Sequence, residues 1–413
     1  MPQSVVARPH QDSSVPDMPG IKAEGELART LRIEVAQLLG RQQLGFPGAQ
    51  PVSFCRSHIE TLKQQDYYLC EKSDGIRCLM YFTSDGDQEI HYLIDRKNEY
   101  YYVPNLHFPL PNDENFQKFH VATLIDGELV LDKVPGTSRR VLKYLVFDCL
   151  IIDGRNVMER TLDKRLAYVR EFVYTPYQAL CKKFPQEVDY FPFILEFKHM
   201  EFSYAMEKVF REILPNLKHG SDGLIFTCRT SPYKHGTDPN ILKWKPASEN
   251  SVDFRLTLKF PLVPVERTPS PSSTSSSSSP PSSPSSSSSN VSLVPDYHAL
   301  PVFKLSVYMG NDTQPDGSNY KEWGEMYVTD AEWEEFKALG QPLEEAIVEC
   351  SLDAQKRWRF MRFRTDKTDG NHISTVRSVM DSIRDGVEKD ELVRSWKEIR
   401  EAWKRRNAPN GHA

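Results

Sequence analysis

The chain has 413 residues, enough for two domains of ordinary size, each with its own hydrophobic core. Its formal net charge of −5 argues against a protein that binds nucleic acid over its whole surface, although a local basic groove is compatible with this charge. The seven cysteines include no Cys-x-x-Cys pair, which favours a reducing compartment. No apolar run is long enough for a membrane span, and the polar, proline-containing N-terminus does not resemble a secretory signal.

The first part of the chain predicts a mixed α/β domain. Residues 1–23 are predicted to be disordered, and an apolar stripe over residues 24–39 predicts the first helix. Strand-like and helix-like segments then alternate as far as residue 244, so we predict one α/β domain over residues 24–246. The predicted strands cover residues 67–70, 76–82, 90–95, 99–103, 123–132, 141–151, 193–198, 223–228 and 241–245, and the predicted helices cover residues 55–63, 161–174 and 202–213.

The second part of the chain predicts a smaller, β-rich domain. Residues 252–259 and 302–309 both alternate apolar and polar side chains, as half-buried strands do. Between them lies a segment of serine and proline, residues 266–292, which cannot bury enough apolar surface to fold. Because each alternating segment needs a partner strand, we interpret the Ser/Pro segment as a disordered insertion within one domain, residues 247–372. Apolar stripes predict C-terminal helices within residues 373–413.

The stretch from Glu71 to Arg77, Glu-Lys-Ser-Asp-Gly-Ile-Arg, is the first candidate for chemistry. An unperturbed lysine has a pKa of ~10.4 and is protonated at neutral pH, so a nucleophilic lysine needs surroundings that favour the neutral amine. Burial of Lys72 against apolar strands and a nearby cation, Arg77, would both act in that direction. Gly75 would permit a backbone conformation that a side chain blocks. Taken alone, the stretch is more simply a hairpin turn with a solvated lysine.

Several downstream side chains fit an activated lysine that acts on a nucleotide. Asp126 and Glu128 would share one face of a strand, because side chains alternate, and could hold a ribose hydroxyl or a metal ion. An aromatic residue at the end of the run 144–148 could stack on a base. Lys198 ends an apolar strand, and Asp222 precedes another. For each stretch taken singly, a charged strand edge or a core strand is the simpler interpretation.

Two further stretches are rich in cations. Lys243 and Lys245 would project to one side of a strand and Trp244 to the other, and two adjacent ammonium groups repel unless an anion lies beside them. This spacing suggests a phosphate site, which could also supply a positive field near Lys72. In the predicted second domain, alternation places Arg362 beside Arg364, ahead of Asp366 and Lys367, although a basic surface strand is the simpler alternative.

In this order, the motifs closely resemble those of the covalent nucleotidyltransferase superfamily, and within it the fungal messenger-RNA capping guanylyltransferases, over about residues 25–405. The resemblance implies a bilobed α+β (mixed α/β) enzyme. Its first domain would be a nucleotidyltransferase domain of the ligase and capping type, which is ATP-grasp-like. An OB-fold β-barrel and C-terminal helices would follow. The motifs that carry the resemblance are 72–77, 95–96, 126–128, 144–148, 222–225, 242–246 and 362–367.

The resemblance also implies a reaction and a set of site residues. Lys72 would attack the α-phosphorus of GTP, giving a lysyl-GMP intermediate and pyrophosphate, and GMP would then pass to the 5′-diphosphate end of RNA. Closure of the second domain would license the first step. A magnesium or manganese ion would be held by Glu128 and Asp222. The implied nucleotide-binding residues are Arg77, then Arg96 and Glu128 at the ribose, Phe147 and Lys198 at the guanine, Asp222, Lys243 and Lys245 at the α-phosphate and metal, and Arg362, Asp366 and Lys367 at the β and γ phosphates.

The same resemblance implies a nuclear location, no association with a membrane and three partners. These are the 5′-diphosphate RNA, the phosphorylated C-terminal tail of RNA polymerase II and a separate RNA 5′-triphosphatase subunit. We expect a separate subunit because the chain shows no room for, and no motif of, the cysteine phosphatase domain that animal capping enzymes carry. The Ser/Pro segment has no counterpart in the family pattern.

Two alternatives belong to different functional classes. An ATP-dependent polynucleotide ligase uses the same lysine chemistry and an OB-fold domain, so the nucleotide that labels the chain would distinguish it. A non-catalytic adaptor that only binds the polymerase tail or RNA would have no need for Lys72 beside Lys243 and Lys245.

Overall fold

The computed structural model describes residues 15–246, 249–266, 291–312, 314–365 and 367–408. Residues 1–14 and 267–290, which make up most of the two segments predicted to be disordered (1–23 and 266–292), lie outside this part of the chain. The prediction is wrong for residues 21–22, 266, 291 and 292, which lie in paired strands. The described residues form two compact units. The large unit contains residues up to 246 together with those from 382 onward, and the small unit contains residues 249–381.

The large unit is built on two β-sheets. The first sheet has eight strands, with the order β1-β6-β5-β4-β7-β8-β10 and with β9 paired to β8, and the second has five strands, with the order β11-β3-β12-β13-β2. The strands are β1 (Ile21–Lys22), β2 (Ala49–Ser53), β3 (Tyr67–Ser73), β4 (Ile76–Asp85), β5 (Gln88–Ile94), β6 (Tyr100–Tyr102), β7 (Thr123–Lys133), β8 (Arg140–Ile152), β9 (Arg155–Asn156), β10 (Ile194–Phe197), β11 (Glu201–Phe202), β12 (Ser221–Cys228) and β13 (Gly236–Trp244).

The small unit contains a five-stranded barrel with the order β14-β17-β18-β20-β19, in which β14 pairs with both β17 and β19. This order, with β18 parallel to β20, is that of an OB-fold, so the predicted fold class is confirmed. The predicted pairing of residues 252–259 with 302–309 is also confirmed. The strands are β14 (Ser251–Lys259), β15 (Leu262–Glu266), β16 (Val291–Pro295), β17 (Val302–Tyr308), β18 (Tyr320–Met326), β19 (Ile347–Leu352) and β20 (Trp358–Phe363).

Strands β15 and β16 pair with each other as a separate two-stranded hairpin, and the Ser/Pro segment lies between them in the chain. The segment was predicted to lie between the strands of residues 252–259 and 302–309, and the additional hairpin of β15 and β16 was not predicted.

The helices are mostly short. Residues Val169–Tyr174 and Val209–Ile213 are π-helical and continue α3 and α5, while Val188–Tyr190, Ser203–Ala205 and Leu214–Asn216 are 3₁₀ turns. No helix among the described residues combines the length and the apolar character needed to cross a membrane. The α-helices are α1 (Gly25–Leu38), α2 (His58–Gln64), α3 (Leu162–Tyr168), α4 (Thr175–Lys183), α5 (Met206–Lys208), α6 (Asp330–Ala338), α7 (Ile373–Arg384), α8 (Lys389–Arg394) and α9 (Trp396–Arg406).

Both faces of the eight-stranded sheet are buried. On β4, Met80 and Phe82 join one apolar cluster, whereas Leu79 and Tyr81 join another, because successive side chains point to opposite faces. The C-terminal helices complete the large unit beside the five-stranded sheet. Leu392 and Ile399 join the apolar cluster of that sheet, in which Trp244 donates a hydrogen bond to the carbonyl of Val387 at 2.7 Å.

Candidate active site

The five-stranded sheet provides one wall of a cavity of about 320 Å³ in the large unit. Alternation along its strands sends one set of side chains into the apolar core and the other into the cavity. On β13, Leu242 and Trp244 are buried in the core, while Ile241 and Lys243 line the cavity. The same alternation on β3 and β12 brings Cys70, Lys72, Ile225 and Thr227 to the cavity.

Lys72 lies within strand β3 and not in a hairpin turn. β3 belongs to the five-stranded sheet and β4 to the eight-stranded sheet, so the chain crosses from one sheet to the other at Asp74 and Gly75. A Cβ atom on Gly75 would lie 2.2 Å from the carbonyl oxygen of Leu129. Gly75 is therefore needed because β7 approaches so closely, which gives a physical reason for its place in the motif. The simpler interpretation, a hairpin with a solvated lysine, is wrong.

Asp222 holds two of the predicted site lysines. Lys72 Nζ donates to Asp222 Oδ1 at 2.7 Å, and Lys245 forms an ion pair with the other carboxylate oxygen. Burial alone would raise the pKa of Asp222, but Lys245 and Lys72 outweigh it and lower that pKa. A Cβ atom on Gly223 would lie 2.1 Å from the carbonyl oxygen of Trp244, so this glycine permits the close approach of β12 to β13 beside Asp222.

Lys243 and Arg96 are cavity cations whose side chains make no hydrogen bond or ion pair within the described part of the chain. Both are accessible to solvent, yet the concave walls partly desolvate them. Partial burial, with the positive charges of Lys245, Lys72 and Arg96, lowers the pKa of Lys243. Partial burial and Arg77 likewise lower the pKa of Arg96. A bound anion would offset the desolvation and the charge repulsion of both side chains, so this part of the cavity fits a phosphate.

Arg77 lines the cavity, and its charge is paired with a carboxylate of this chain. Its guanidinium donates to both carboxylate oxygens of Asp126, at 3.1 and 2.6 Å, and also to the carbonyl of Ala49. Burial alone would lower the pKa of Arg77, but Asp126 outweighs it and raises that pKa. Asp126 is fully buried and also accepts from the Tyr233 hydroxyl at 2.7 Å. The carboxylate of Asp126 is therefore already committed to protein partners.

Lys198 is a buried cation on the cavity wall. Its Nζ donates to Ser73 Oγ at 2.6 Å and lies 3.4 Å from Glu71 Oε1 and 3.5 Å from Glu128 Oε2. Burial alone would lower the pKa of Lys198, but Glu71 and Glu128 outweigh it and raise that pKa. Lys198 thus stays charged inside the protein. Phe147, the predicted base-stacking residue, lines the same cavity, with the Arg77 guanidinium 5.5 Å from its ring centre.

The predicted metal ligands, Glu128 and Asp222, can be compared with the ligands that a magnesium ion prefers. Within the described ranges, no group of three or more His, Cys, Asp or Glu residues is arranged to hold a metal. A magnesium ion commonly binds one or two carboxylates together with substrate phosphates, so it needs no such cluster. Asp222 and Glu128 supply suitable oxygen atoms, although cations of this chain contact both carboxylates. They fit a metal that the phosphates help to hold.

The structure places the last predicted motif in the small unit. Arg362 Nε donates to Glu349 Oε2 at 2.6 Å, and Arg364 Nη1 donates to both oxygens of the Asp253 carboxylate at 3.0 Å. Lys367 also forms an ion pair with Asp253. Asp366 lies outside the described residues.

Sequence reasoning missed several contributors to the cavity. No role was predicted for Glu71, Ser73, Thr227 or Tyr233. Each of these residues lines the cavity or contacts one of its charged side chains. Glu71 could have been predicted to belong to the site, because it directly precedes Lys72 in the sequence. The side chains of Lys72, Arg77, Arg96, Glu128, Phe147, Lys198 and Lys243 are brought together in one cavity. Asp222 lies beside it through its contact with Lys72, and Lys245 is paired in turn with Asp222.

One cavity contains a lysine amine, an aromatic ring and cations that have no partner in the described part of the chain, and this combination is suited to a nucleotide and to covalent attack on its phosphate. Together with an OB-fold in the same chain, the site defines the class as a nucleotidyltransferase.

Comparison with known families identifies the chain further. The model of the mRNA capping enzyme catalytic domain matches residues 14–247, and the model of the mRNA capping enzyme C-terminal domain matches residues 249–393. The chain belongs to the mRNA capping enzyme family. Membership of this family confirms the predicted class of enzyme, a guanylyltransferase, and favours neither the ligase nor the non-catalytic adaptor.

Curated relatives agree over nearly the whole chain. The mRNA-capping enzyme subunit alpha of Neurospora crassa is 51% identical and the match covers 94% of this chain and 93% of the relative. The protein of the same name from Schizosaccharomyces pombe is 42% identical, with 98% and 93% covered. That from Saccharomyces cerevisiae is 37% identical, with 95% and 88% covered. Their names describe one subunit of a larger assembly.

Among solved structures, the ATP-dependent DNA ligase from bacteriophage T7 in complex with ATP overlaps with a TM-score of 0.33 at 15% identity, covering 77% of this chain and 98% of that chain. A TM-score this low supports no conclusion about fold or function.

Proposed function

We propose that the chain transfers GMP from GTP to the 5′-diphosphate end of nascent RNA through a covalent intermediate on Lys72. The single observation that carries this proposal is the position of Lys72. Its amine lies in a cavity beside Lys243, whose ammonium has no partner among the described residues, and it is held by Asp222 at 2.7 Å. A nucleophile next to an unfilled anion site is the arrangement that attack on a phosphate requires.

In the first step, the neutral amine of Lys72 bonds to the α-phosphorus of GTP, and the bond from that phosphorus to the bridging oxygen of pyrophosphate breaks. The Lys72 ammonium must first release a proton to solvent and leave Asp222, and its nitrogen releases a second proton as the P–N bond forms. Lys243 and Lys245 stabilise the negative charge on the α-phosphate. In the second step, a terminal phosphate oxygen of the RNA attacks the same phosphorus, and the electron pair of the broken P–N bond returns to Lys72, whose nitrogen takes up a proton from solvent.

The remaining side chains of the cavity bind and orient the nucleotide. Arg96 and Glu128 would contact the ribose, Phe147 would stack on the guanine, and Lys198 would approach the edge of the base. Phe147 and Lys198 line the cavity that also contains Lys72, which supports this division. A magnesium or manganese ion held by Asp222 and Glu128 would neutralise phosphate charge when bound.

Residues of the small unit would act only in the first step. Arg362, Asp366 and Lys367 would bind the β and γ phosphates of GTP, which leave as pyrophosphate. Arg362 and Lys367 are now held by Glu349 and Asp253, so they would exchange these carboxylates for phosphate oxygens when GTP binds.

The proposed partners follow from the family. The relatives are named as alpha subunits, and a separate RNA 5′-triphosphatase would supply the diphosphate end that this chain consumes. The phosphorylated tail of RNA polymerase II would bring the enzyme to nascent transcripts in the nucleus.

Labelling with nucleotides tests the proposal. The purified chain is incubated with a divalent metal and with either GTP or ATP labelled at the α-phosphate, and then with RNA that ends in a diphosphate. We expect a covalent adduct from GTP alone and transfer of the label to RNA, and we expect no adduct in a folded Lys72→Ala variant. Labelling from ATP alone would indicate a ligase, and a normal adduct in Lys72→Ala would place the nucleophile elsewhere.

A further inference from the structure

His219 joins the two sheets that line the cavity. It lies in the segment that leads into β12. Its Nδ1 is hydrogen-bonded to Asp132 Oδ1 on β7 at 2.7 Å, and its Nε2 lies 3.5 Å from Glu71 Oε1 on β3, which is an ion-pair contact without hydrogen-bond geometry. The side chain is only 8% exposed. His219 therefore connects the strand that carries Glu128 to the strand that carries Lys72.

The backbone on both sides of His219 is fixed to the same two strands. The carbonyl of Lys218 accepts from the amide of Lys133 at 2.9 Å, and the carbonyl of Gly220 accepts from the amide of Asp74 at 2.9 Å. Because both flanking residues are tied down, the imidazole is held between its two carboxylate partners.

The contact of His219 with Glu71 reaches the cavity through Lys198. A single oxygen, Glu71 Oε1, is approached by His219 at 3.5 Å, by Lys198 at 3.4 Å and by the Ser73 hydroxyl at 3.3 Å. Burial alone would raise the pKa of Glu71, but Lys198 and His219 outweigh it and lower that pKa. Glu71 thus remains a carboxylate that can hold Lys198 at the cavity wall.

The charged groups around His219 favour its doubly protonated form. Asp132 and Glu71 face the imidazole directly, and Lys143 lies behind Asp132 at 2.8 Å, as Lys198 lies behind Glu71. Burial alone would lower the pKa of His219, but Asp132 and Glu71 outweigh it and raise that pKa to about 9. The imidazolium carries a positive charge that attracts both carboxylates, through the hydrogen bond to Asp132 and the ion-pair contact with Glu71, whereas neutral imidazole has one N–H and no charge to attract Glu71.

The geometry points to His219 as a positioning residue for nucleotide binding. As an imidazolium, His219 bridges Asp132 and Glu71. Because Glu71 also contacts Lys198, the bridge fixes the position of Lys198 relative to Lys72. Lys198 is the residue at the base end of the cavity. This inference rests on the proposed function, in which Lys198 contacts the base of GTP. His219 itself touches no reacting atom.

Loss of the bridge should weaken GTP binding more than it slows the chemistry. We expect His219→Gln to raise the GTP concentration that half-saturates adduct formation by about tenfold, the effect of losing one charge-assisted hydrogen bond. The maximal rate of adduct formation should change by less than about threefold, since Lys72 and Lys243 keep their places. In the wild-type chain, the half-saturating concentration should rise as the pH passes about 9, where His219 loses its second proton.

The experiment measures single-turnover adduct formation from labelled GTP against GTP concentration, between pH 6.5 and 10. His107→Gln is the matched control. His107 is also a histidine of the large unit held by a carboxylate, with Nδ1 at 2.5 Å from Glu89, and it does not line the cavity. We expect the control to keep the wild-type half-saturating concentration and pH profile.

A second variant covers the case in which His219→Gln does not fold. Asp132→Asn removes one of the two carboxylates that favour the imidazolium, so the pH at which GTP binding weakens should fall by about one unit. The inference would be overturned by wild-type GTP dependence in His219→Gln, or by a pH profile that Asp132→Asn leaves unmoved. Absence of any adduct from the wild-type chain would instead contradict the proposed function.

Discussion

Two cations of the cavity in the large unit differ from the predicted phosphate-binding cations of the small unit in how they are held. In the cavity, Lys243 and Arg96 have no hydrogen-bond or ion-pair partner among the described residues, and partial burial lowers the pKa of each. In the small unit, Arg362 and Lys367 are both bound by carboxylates, Glu349 and Asp253. The cavity is therefore prepared for an anion in advance, whereas the small unit must release its cations from carboxylates before they can bind phosphate.

This difference agrees with the two steps of the proposed reaction. In that proposed reaction the α-phosphate would remain in the cavity through both steps, so a permanent anion site would be useful there. The β and γ phosphates are present only in the first step and then leave. Cations with carboxylate partners to return to can release pyrophosphate more easily than cations without them.

The largest expected effect comes from removing a cavity cation. Lys243→Ala should slow adduct formation by about 100-fold or more, because it removes a preorganised charge beside the phosphate that Lys72 attacks. Single-turnover labelling with GTP measures this rate. Lys118→Ala, at an exposed lysine away from the cavity, is the control and should react at the wild-type rate. A fast Lys243→Ala variant would show that the unpartnered lysine does not serve the phosphate.

A smaller and step-specific effect is expected in the small unit. Arg362→Ala should slow adduct formation by about 10- to 100-fold but leave the transfer of GMP from preformed adduct to RNA unchanged, since pyrophosphate has then departed. The two steps are measured separately with isolated adduct. Arg357→Ala, which breaks the surface pair with Asp353, is the control for the loss of an arginine from the same unit. Equal slowing of both steps by Arg362→Ala would contradict the distinction between the two units.

Changes at the two groups of cations should have opposite rankings for stability and for activity. A change in the small unit should destabilise the chain more than the loss of Lys243. Asp253→Asn leaves Arg364 and Lys367 without their buried carboxylate, so it should lower the free energy of unfolding of the small unit by about 2–3 kcal/mol. Lys243→Ala removes a charge that its neighbours Lys245 and Lys72 repel, so it should leave thermal stability unchanged or slightly raised. Thermal unfolding of both variants without nucleotide checks this. Strong destabilisation by Lys243→Ala would mean that the lysine has a structural partner.

The smallest expected effect concerns pH and the large unit alone. The pKa of His219 is raised from its ordinary value near 6.5 to about 9, so its protonation contributes stability that is fully present below pH 6.5 and is lost as the pH rises through about 9. After allowance for solvent screening, the contribution is about 2 kcal/mol. Denaturant unfolding at pH 6.5 and at pH 9.5 should show this loss in the wild-type chain, and His219→Gln should lack it.

Sequence patterns were sufficient where periodicity or order carried the information. The alternation of Lys243 and Trp244 correctly predicted a lysine that faces the cavity and a tryptophan in the core, and Lys245 is paired with Asp222 beside the cavity. The apolar alternation on both sides of the Ser/Pro segment likewise predicted the pairing of β14 with β17. These features depend on neighbours in the chain, which a sequence displays directly.

Other elements were missed for identifiable reasons. Strand β2 contains Pro51 and shows no alternation, and it is stabilised by parallel pairing with β13. Helix α6 could have been found, because Thr329 and Glu332 form a capping box that is visible in the sequence. The commitment of Arg77 to Asp126, and the bridge made by His219, join residues about 50 to 150 positions apart along the chain, and no local pattern predicts such pairs.

The most direct test is to locate the covalent bond. The chain is allowed to react with GTP, digested under conditions that preserve the P–N bond, and analysed by tandem mass spectrometry. We expect a single added GMP on the peptide that contains Lys72, and none on peptides that contain Lys198, Lys243 or Lys245. GMP on another residue, or a reacted chain without covalent nucleotide, would contradict the central claim that Lys72 is the nucleophile.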